Sequence, residues 1–244
     1  MDVNKAFRFV LNDKQWISKL LIGAVMSVLS FLIVPALILQ GYLVKLVRQV
    51  MGGDDDRLPE WMDWGNLLRD GFFVTVGQLI WALPMILLLT IVGAVTGGLG
   101  SVLDSSGDMV AAATTGAGLL MACLVLLTVI AFLFLTPALL IQYARTDEFG
   151  SLFRFSEVFD IIRGNMADIL IAFLVSVVAV LAITVVTGVI SIVPCLGWIA
   201  AALIGLAMGP YIQFVTGHLY GQIAAKLPGS KAAGYYPPSG PGVA

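Results

Sequence analysis

The chain has 244 residues, 59% of them hydrophobic and only 11% charged, with a mean hydropathy of +1.00 and a formal net charge of −2. Soluble domains carry about 25% charged residues, so this chain cannot cover itself with a solvated surface. The lack of a basic patch argues against a nucleic-acid partner, because no counterions would be released on binding. The composition therefore describes one membrane domain over residues 1–226, with no room for a second soluble domain.

Residues 3–11 open the chain with an amphipathic pattern, Val3, Phe7, Val10 and Leu11 sharing a face with Lys5 and Arg8 nearby. The first long apolar run, Trp16–Gln40, is too long for a signal-peptide core and has no small-residue cleavage site after it. Four more runs follow: Phe72–Gly98, Ala117–Tyr143, Ile169–Ile192 and Trp198–Ala225. Each reaches the roughly 20 apolar residues that a helix needs to cross a hydrocarbon core of about 30 Å. The expected fold is thus an all-α, polytopic membrane helix bundle with about five transmembrane helices. Residues 227–244, with Tyr235-Tyr236-Pro237-Pro238 among Gly and Ser, read as a disordered tail.

The linkers between runs are uneven. Segments 41–71 and 144–168 hold seven Lys/Arg, whereas 99–116 and 193–197 hold none. In the first charged linker, Gly52-Gly53 closes a basic stretch and Pro59-Glu60 suits a new helix start. Trp61, Trp64, Leu67 and Leu68 then recur at helical spacing, which predicts an interfacial helix with Trp61 and Trp64 as headgroup-level anchors. In the second, Thr146-Asp147-Glu148 is a start signal, followed by an apolar stripe of Phe149, Leu152, Phe153, Phe159 and Ile162. Five crossings place both charged linkers and the C-terminus on one side, which the Lys/Arg bias makes the cytoplasmic face of the inner membrane. That topology leaves Lys5, Arg8, Lys14 and Lys19 outside, against the rule. The alternative is a re-entrant hairpin bent near Pro35, which would need burial in a bundle this small. Five crossings with the N-terminus outside is the expected arrangement.

The first and third runs end alike. Pro35-Ala36-Leu37-Ile38-Leu39-Gln40 matches Pro137-Ala138-Leu139-Leu140-Ile141-Gln142, with Tyr42 or Tyr143 following; Pro210-Tyr211-Ile212-Gln213 is a looser echo. The chain reads as a span–linker–span unit used twice in parallel, plus a fifth span.

Seats for chemistry are few. Lys19 and Asp168 lie at span ends, where snorkelling is cheap. No nucleotide, metalloprotease, esterase or dithiol motif is present, so no catalytic residue, metal or cofactor is assigned. Gln40, Gln142 and Gln213, with Gln78 and His218, are candidate lining groups of a polar cavity; the bland reading makes them interhelical glue. Asp54-Asp55-Asp56, Asp104 and Asp108 lack calcium-loop spacing and read as solvated charge. Cys123 and Cys195 read as packed thiols. In the last run Ala201, Gly205, Gly209, Gln213, Gly217 and Gly221 recur every fourth residue, and Gly93 and Gly97 repeat that spacing. Such small-residue seams mark helix–helix contact.

Gly41-Tyr42, Arg48, Gly53-Asp54-Asp55-Asp56, Leu58-Pro59-Glu60-Trp61, Asp63-Trp64-Gly65 and Asp70-Gly71 together resemble a prokaryotic family of integral membrane proteins catalogued as a domain of unknown function. The resemblance covers the first span, the linker and the second span. It implies a prokaryotic multi-pass protein and brings no catalytic residue with it. The expected function is a non-enzymatic membrane scaffold or auxiliary subunit, embedded in the bilayer as a homo-oligomer or within a larger membrane complex. A carrier or channel for a small neutral or zwitterionic solute is the alternative. A lipid-acting enzyme is third, for want of an acid or base.

Overall fold

The computed structural model describes the backbone of residues 1–102 and 108–229, and the side chains of residues 1–95 and 115–229. Gly97, Asp104, Asp108 and most of the expected tail therefore fall outside the described side chains. Among the described residues seven α-helices run in chain order: α1 (Val3–Asn12), α2 (Trp16–Val28), α3 (Val34–Met51), α4 (Trp64–Val102), α5 (Asp108–Thr146), α6 (Phe155–Ile190) and α7 (Leu196–Ala225). Four of them, α4 to α7, are long and apolar enough to cross a bilayer. Their outward faces are lined with exposed Leu, Ile and Val, as a surface solvated by lipid should be. Cys123 and Cys195 belong to that surface and are exposed rather than packed.

The first apolar run is not one straight span. Asp2 caps α1 by accepting the Lys5 N–H at 2.9 Å, and the chain then turns by 102° into α2. A 3-10 turn at Leu29–Leu32 extends α2, and Ile33 follows with φ 62° and ψ −56°. A β-branched residue in that region costs about 1–3 kcal/mol of strain, and it marks a sharp reversal. Pro35 then sits in the first turn of α3, where its missing N–H leaves no orphan. At the far end, the Trp61 Nε1–H donates to the Lys19 carbonyl at 3.0 Å and Lys19 Nζ donates to the Leu58 carbonyl at 2.8 Å. The start of α2 thus lies beside the segment that leaves α3, and α2–α3 is a helical hairpin.

The depth of that hairpin follows from its packing on α7. A Cβ at Gly217 would meet Leu46 and Leu43, and one at Gly221 would meet Val50, so α3 and α7 run parallel in register. At this offset Val34 lies level with Gly205, whereas α7 begins nine residues earlier at Leu196. At 1.5 Å per residue the hairpin stops about 14 Å short of the α6–α7 turn. The stretch of α7 beyond it exposes Leu196 (74%) and Trp198 (62%), which only hydrocarbon or its border solvates well. The hairpin therefore turns back toward the end from which it started, which leaves four helices long and apolar enough to cross, or up to five if the bent α1–α2 pair counts as one span. Two amides of the turn are bonded locally: Ile33 N–H to the Ser30 carbonyl and Leu37 N–H to the Ile33 carbonyl.

The repeat is also larger than a doubled unit. The chain forms three hairpins, α2–α3, α4–α5 and α6–α7, and the returning helix of each carries its own proline and glutamine. Cys195, beside Pro194 in the α6–α7 turn, has φ 61° and ψ −69°, close to the backbone of Ile33. Pro137 and Pro210 lie inside α5 and α7, while α3 begins at its proline. The first hairpin is short because its returning helix starts there.

The two charged linkers differ. The second forms a 3-10 turn at Phe149–Phe153 and then the first ten residues of α6, which bends at Asn165 (φ −131°, ψ 22°). Its stripe is buried at Leu152 and Ile162, half-buried at Phe149 and Phe153, and exposed at Phe159. The first does not form the expected helix from Pro59: residues 52–63 are irregular and α4 starts at Trp64. A topology test follows. With Cys123→Ala and Cys195→Ala, single thiols from Asn4→Cys and Gly150→Cys should react with a membrane-impermeant reagent from the same face. Reaction from opposite faces would restore the odd number of crossings.

Candidate functional site

The absent helix in residues 52–63 has a specific cause, and it defines the polar end of the molecule. Side chains from the surrounding helices take the carbonyls that a helix would use. Gln49 Nε2 donates to the Arg57 carbonyl (2.9 Å), Lys19 Nζ to that of Leu58, Tyr42 Oη to that of Pro59 (2.9 Å) and Lys45 Nζ to that of Glu60 (2.8 Å). The Leu58 N–H donates to Asp13 Oδ2 at 3.0 Å. His218 Nε2 meets the Asp55 carbonyl at 3.0 Å. The segment is a strap, bound through its backbone as a peptide ligand would be.

Under the strap lies a buried ion pair. Lys19 is 3% exposed and bonds Asp13 Oδ2 at 2.7 Å and Glu60 Oε1 at 2.7 Å, so it does not snorkel to the surface as expected. Burial by itself pushes the Asp13 carboxyl up. The Lys19 ammonium and the N–H groups of Gln15 and Leu58 outweigh it and hold the group below the ordinary carboxylate value. Trp61 stacks on Tyr42 with ring centroids 3.8 Å apart and is only 8% exposed. It is an interior residue; of the two expected anchors, Trp64 alone is exposed, at 43%.

A second ion network joins α3, α4 and α5. Arg48 donates from Nη1 to Asp70 (2.5 Å), from Nη2 to Asp147 (2.8 Å) and from Nε to the Ala144 carbonyl (3.3 Å). The other oxygen of Asp70 accepts the Tyr143 hydroxyl at 3.0 Å and the Arg69 guanidinium. The Arg48 guanidinium also lies 5.3 Å from the centre of the Tyr143 ring. This geometry depends on the α3–α4 crossing, where a Cβ at Gly41 would overlap the Leu67 carbonyl and one at Gly71 the Leu37 carbonyl. No other residue fits at either position.

The remaining candidates scatter. Gln142 is fully buried and its amide donates to Glu157; Gln40, Gln78 and Gln213 are half-buried on α3, α4 and α7. Among the described residues no hydrogen bond joins Gln40, Gln142 and Gln213. His218 is fully buried. The glycine seam of α7 divides: Gly217 and Gly221 pack on α3, whereas Gly205 and Gly209 face open space, with half-buried Ala201 above them. A Cβ added at Gly93 would meet the Met121 methyl at 3.4 Å. Asp55 and Asp56 pair with Lys5, Asp54 with Arg57, and Asp168 with Lys226.

Sequence reasoning missed Asp13, Lys19, Arg48 and Asp70 as partners. The available signal was that a cation flanked by apolar residues needs a carboxylate, and each has one within the same hairpin or the next helix. Chemically, these groups neutralise one another and satisfy backbone atoms, so they fasten helices together. Breaking one partner should be costly. Arg48→Met is expected to destabilise by up to about 3–5 kcal/mol, because it leaves the buried Asp70 with only the half-exposed Arg69 and the Tyr143 hydroxyl as partners. The double variant Arg48→Met/Asp70→Leu should cost less than the sum of the two single changes, as read by unfolding in detergent. For Asp13 the depressed pKa means that its stabilisation is full at neutral pH and is lost as pH falls through that value. An acid unfolding step present in the native chain should therefore weaken in Asp13→Asn.

No curated protein and no solved structure matches this chain. The model of one family, described as protein of unknown function (DUF4013), matches residues 28–195. That stretch runs from the end of α2 through the strap and the ion-paired helices to the α6–α7 turn, and the chain belongs to this family.

Proposed function

We propose that the chain is a non-enzymatic scaffold or auxiliary subunit of the cytoplasmic membrane, acting through helix packing. The observation that carries this reading is the open half of the α7 seam. Gly205 and Gly209 have no atom within 4 Å of a built Cβ, so this small-residue face is free for a helix from another chain. The strapped polar end is the cytoplasmic contact surface. Its orientation rests on charge: with the first hairpin re-entrant, every described lysine and arginine lies at that end, together with both termini of the described chain.

The second reading is a carrier for a small neutral or zwitterionic solute. It is favoured by two buried amide atoms without a protein partner, Gln142 Oε1 and Gln78 Nε2. One experiment separates the two. Native mass spectrometry in lipid nanodiscs should find an oligomer, or a co-purified membrane partner, that Gly205→Leu/Gly209→Leu abolishes. Folding should survive, since among the described residues no atom lies within 4 Å of a Cβ added at either glycine. A monomer in both samples counts against the scaffold, and a small molecule retained on that monomer, lost in Gln142→Leu, favours the carrier.

A further inference from the structure

The single histidine of the chain sits where three separate segments meet. On α7, Gln222 Oε1 accepts the Asp2 backbone N–H at 2.6 Å, and Gln222 Nε2 donates back to the Asp2 carbonyl at 2.9 Å. This two-point bond to the start of α1 fixes which way the amide faces. The second hydrogen of the same Nε2 points at His218 Nδ1, 3.0 Å away. Nδ1 must therefore be an acceptor, and the ring proton belongs to Nε2, which donates to the Asp55 carbonyl of the strap at 3.0 Å. The Phe9 ring of α1 covers the imidazole, with centroids 4.3 Å apart.

We propose that His218 is a proton-operated clasp, which holds α1 and the strap on α7 while neutral and releases the start of α1 when it is protonated. A proton on Nδ1 would face the Gln222 N–H. Turning the amide over would satisfy the imidazolium, but it would set an N–H against the Asp2 N–H and a carbonyl against the Asp2 carbonyl. The turn that satisfies the imidazolium therefore loses the two bonds to α1 together. The charged groups around the ring are Asp2 and Lys5 on α1 and Asp55 on the strap; α3 offers apolar side chains at this level. Lys5 is held by Asp55 and Asp56, so the cation nearest the ring is already paired with carboxylates of the strap. Tyr211 donates to the Phe7 carbonyl at 2.8 Å, a bond that proton uptake leaves intact, so release is confined to the first turn.

The test uses the full chain without a histidine tag, in nanodiscs. Because there is one histidine, ring-labelled ¹⁵N spectra report His218 alone, and hydrogen exchange at residues 2–6 reports the clasp. The expected result is an Nε2-protonated ring at pH 8, conversion to imidazolium on acidification, and a tenfold or larger loss of protection at residues 2–6 with the same midpoint. His218→Gln should abolish the pH step in protection. Unchanged protection across the ring titration overturns the proposal. So does a step that persists in His218→Gln, which would assign it to the Lys5–Asp55 pair, or a ring protonated on Nδ1 at pH 8.

Discussion

The backbone contact of α3 with α4 at Gly41 and Gly71 is the constraint from which the polar end is built. With no Cβ on either glycine, each helix lays its backbone against a carbonyl of the other. Cα–H groups facing carbonyls at such a crossing add a weak attraction to the close packing. That approach sets Arg48 of α3 within reach of Asp70, one residue before Gly71, and α5 completes the pocket with Tyr143, Ala144 and Asp147. Any larger residue at the crossing would push the guanidinium away from a carboxylate that is itself 4% exposed.

Paired charges at one end of an apolar bundle do a different job from a single intramembrane charge. An isolated buried ion marks a pathway or a titration, whereas these ions meet partners that are fixed by neighbouring helices. Lys19 and Arg48 each bond a carboxylate and a backbone carbonyl, so each ties a helix to an irregular segment or a helix end. The strap is the visible consequence. Its carbonyls are claimed one after another by Gln49, Lys19, Tyr42 and Lys45, and a chain whose acceptors are so engaged does not form a helix. The residues that carry the family resemblance, Gly41-Tyr42, Arg48, Leu58 to Trp61 and Asp70-Gly71, are the ones that touch in this layer.

The three hairpins show how one plan yields elements of different depth. In α5 and α7 the proline is carried inside a long helix, which tolerates it because the rest of the span is held by its neighbours. In α3 the chain turns just before the proline, so the helix starts there and the hairpin stops short of the α6–α7 turn. The described lysines and arginines are thereby gathered at one end of the bundle. Lys5, Arg8 and Lys14 lie with the other cations because α2 and α3 return to the side they left.

The sequence by itself determined the solvent: long apolar runs, few charges and uneven linkers admit an all-α membrane bundle and little else. It also located the interval from Gly41 to Gly71 as special, and it placed a small-residue seam on α7. Tertiary structure decided the rest, because the deciding contacts are between residues far apart in the chain. Whether residues 16–40 cross or turn depends on Ile33 and on the packing of α3 along α7, which a hydropathy profile does not see. Helical spacing at Trp61, Trp64, Leu67 and Leu68 describes an interfacial helix well. It fails because side chains of α2 and α3 outcompete the local hydrogen bonds and Tyr42 draws Trp61 inside. The seam reads as uniform in sequence, yet only its Gly217–Gly221 half meets a partner helix, because steps of four residues drift about 40° each around a 3.6-residue helix and turn Gly205 and Gly209 away from the face that α3 covers.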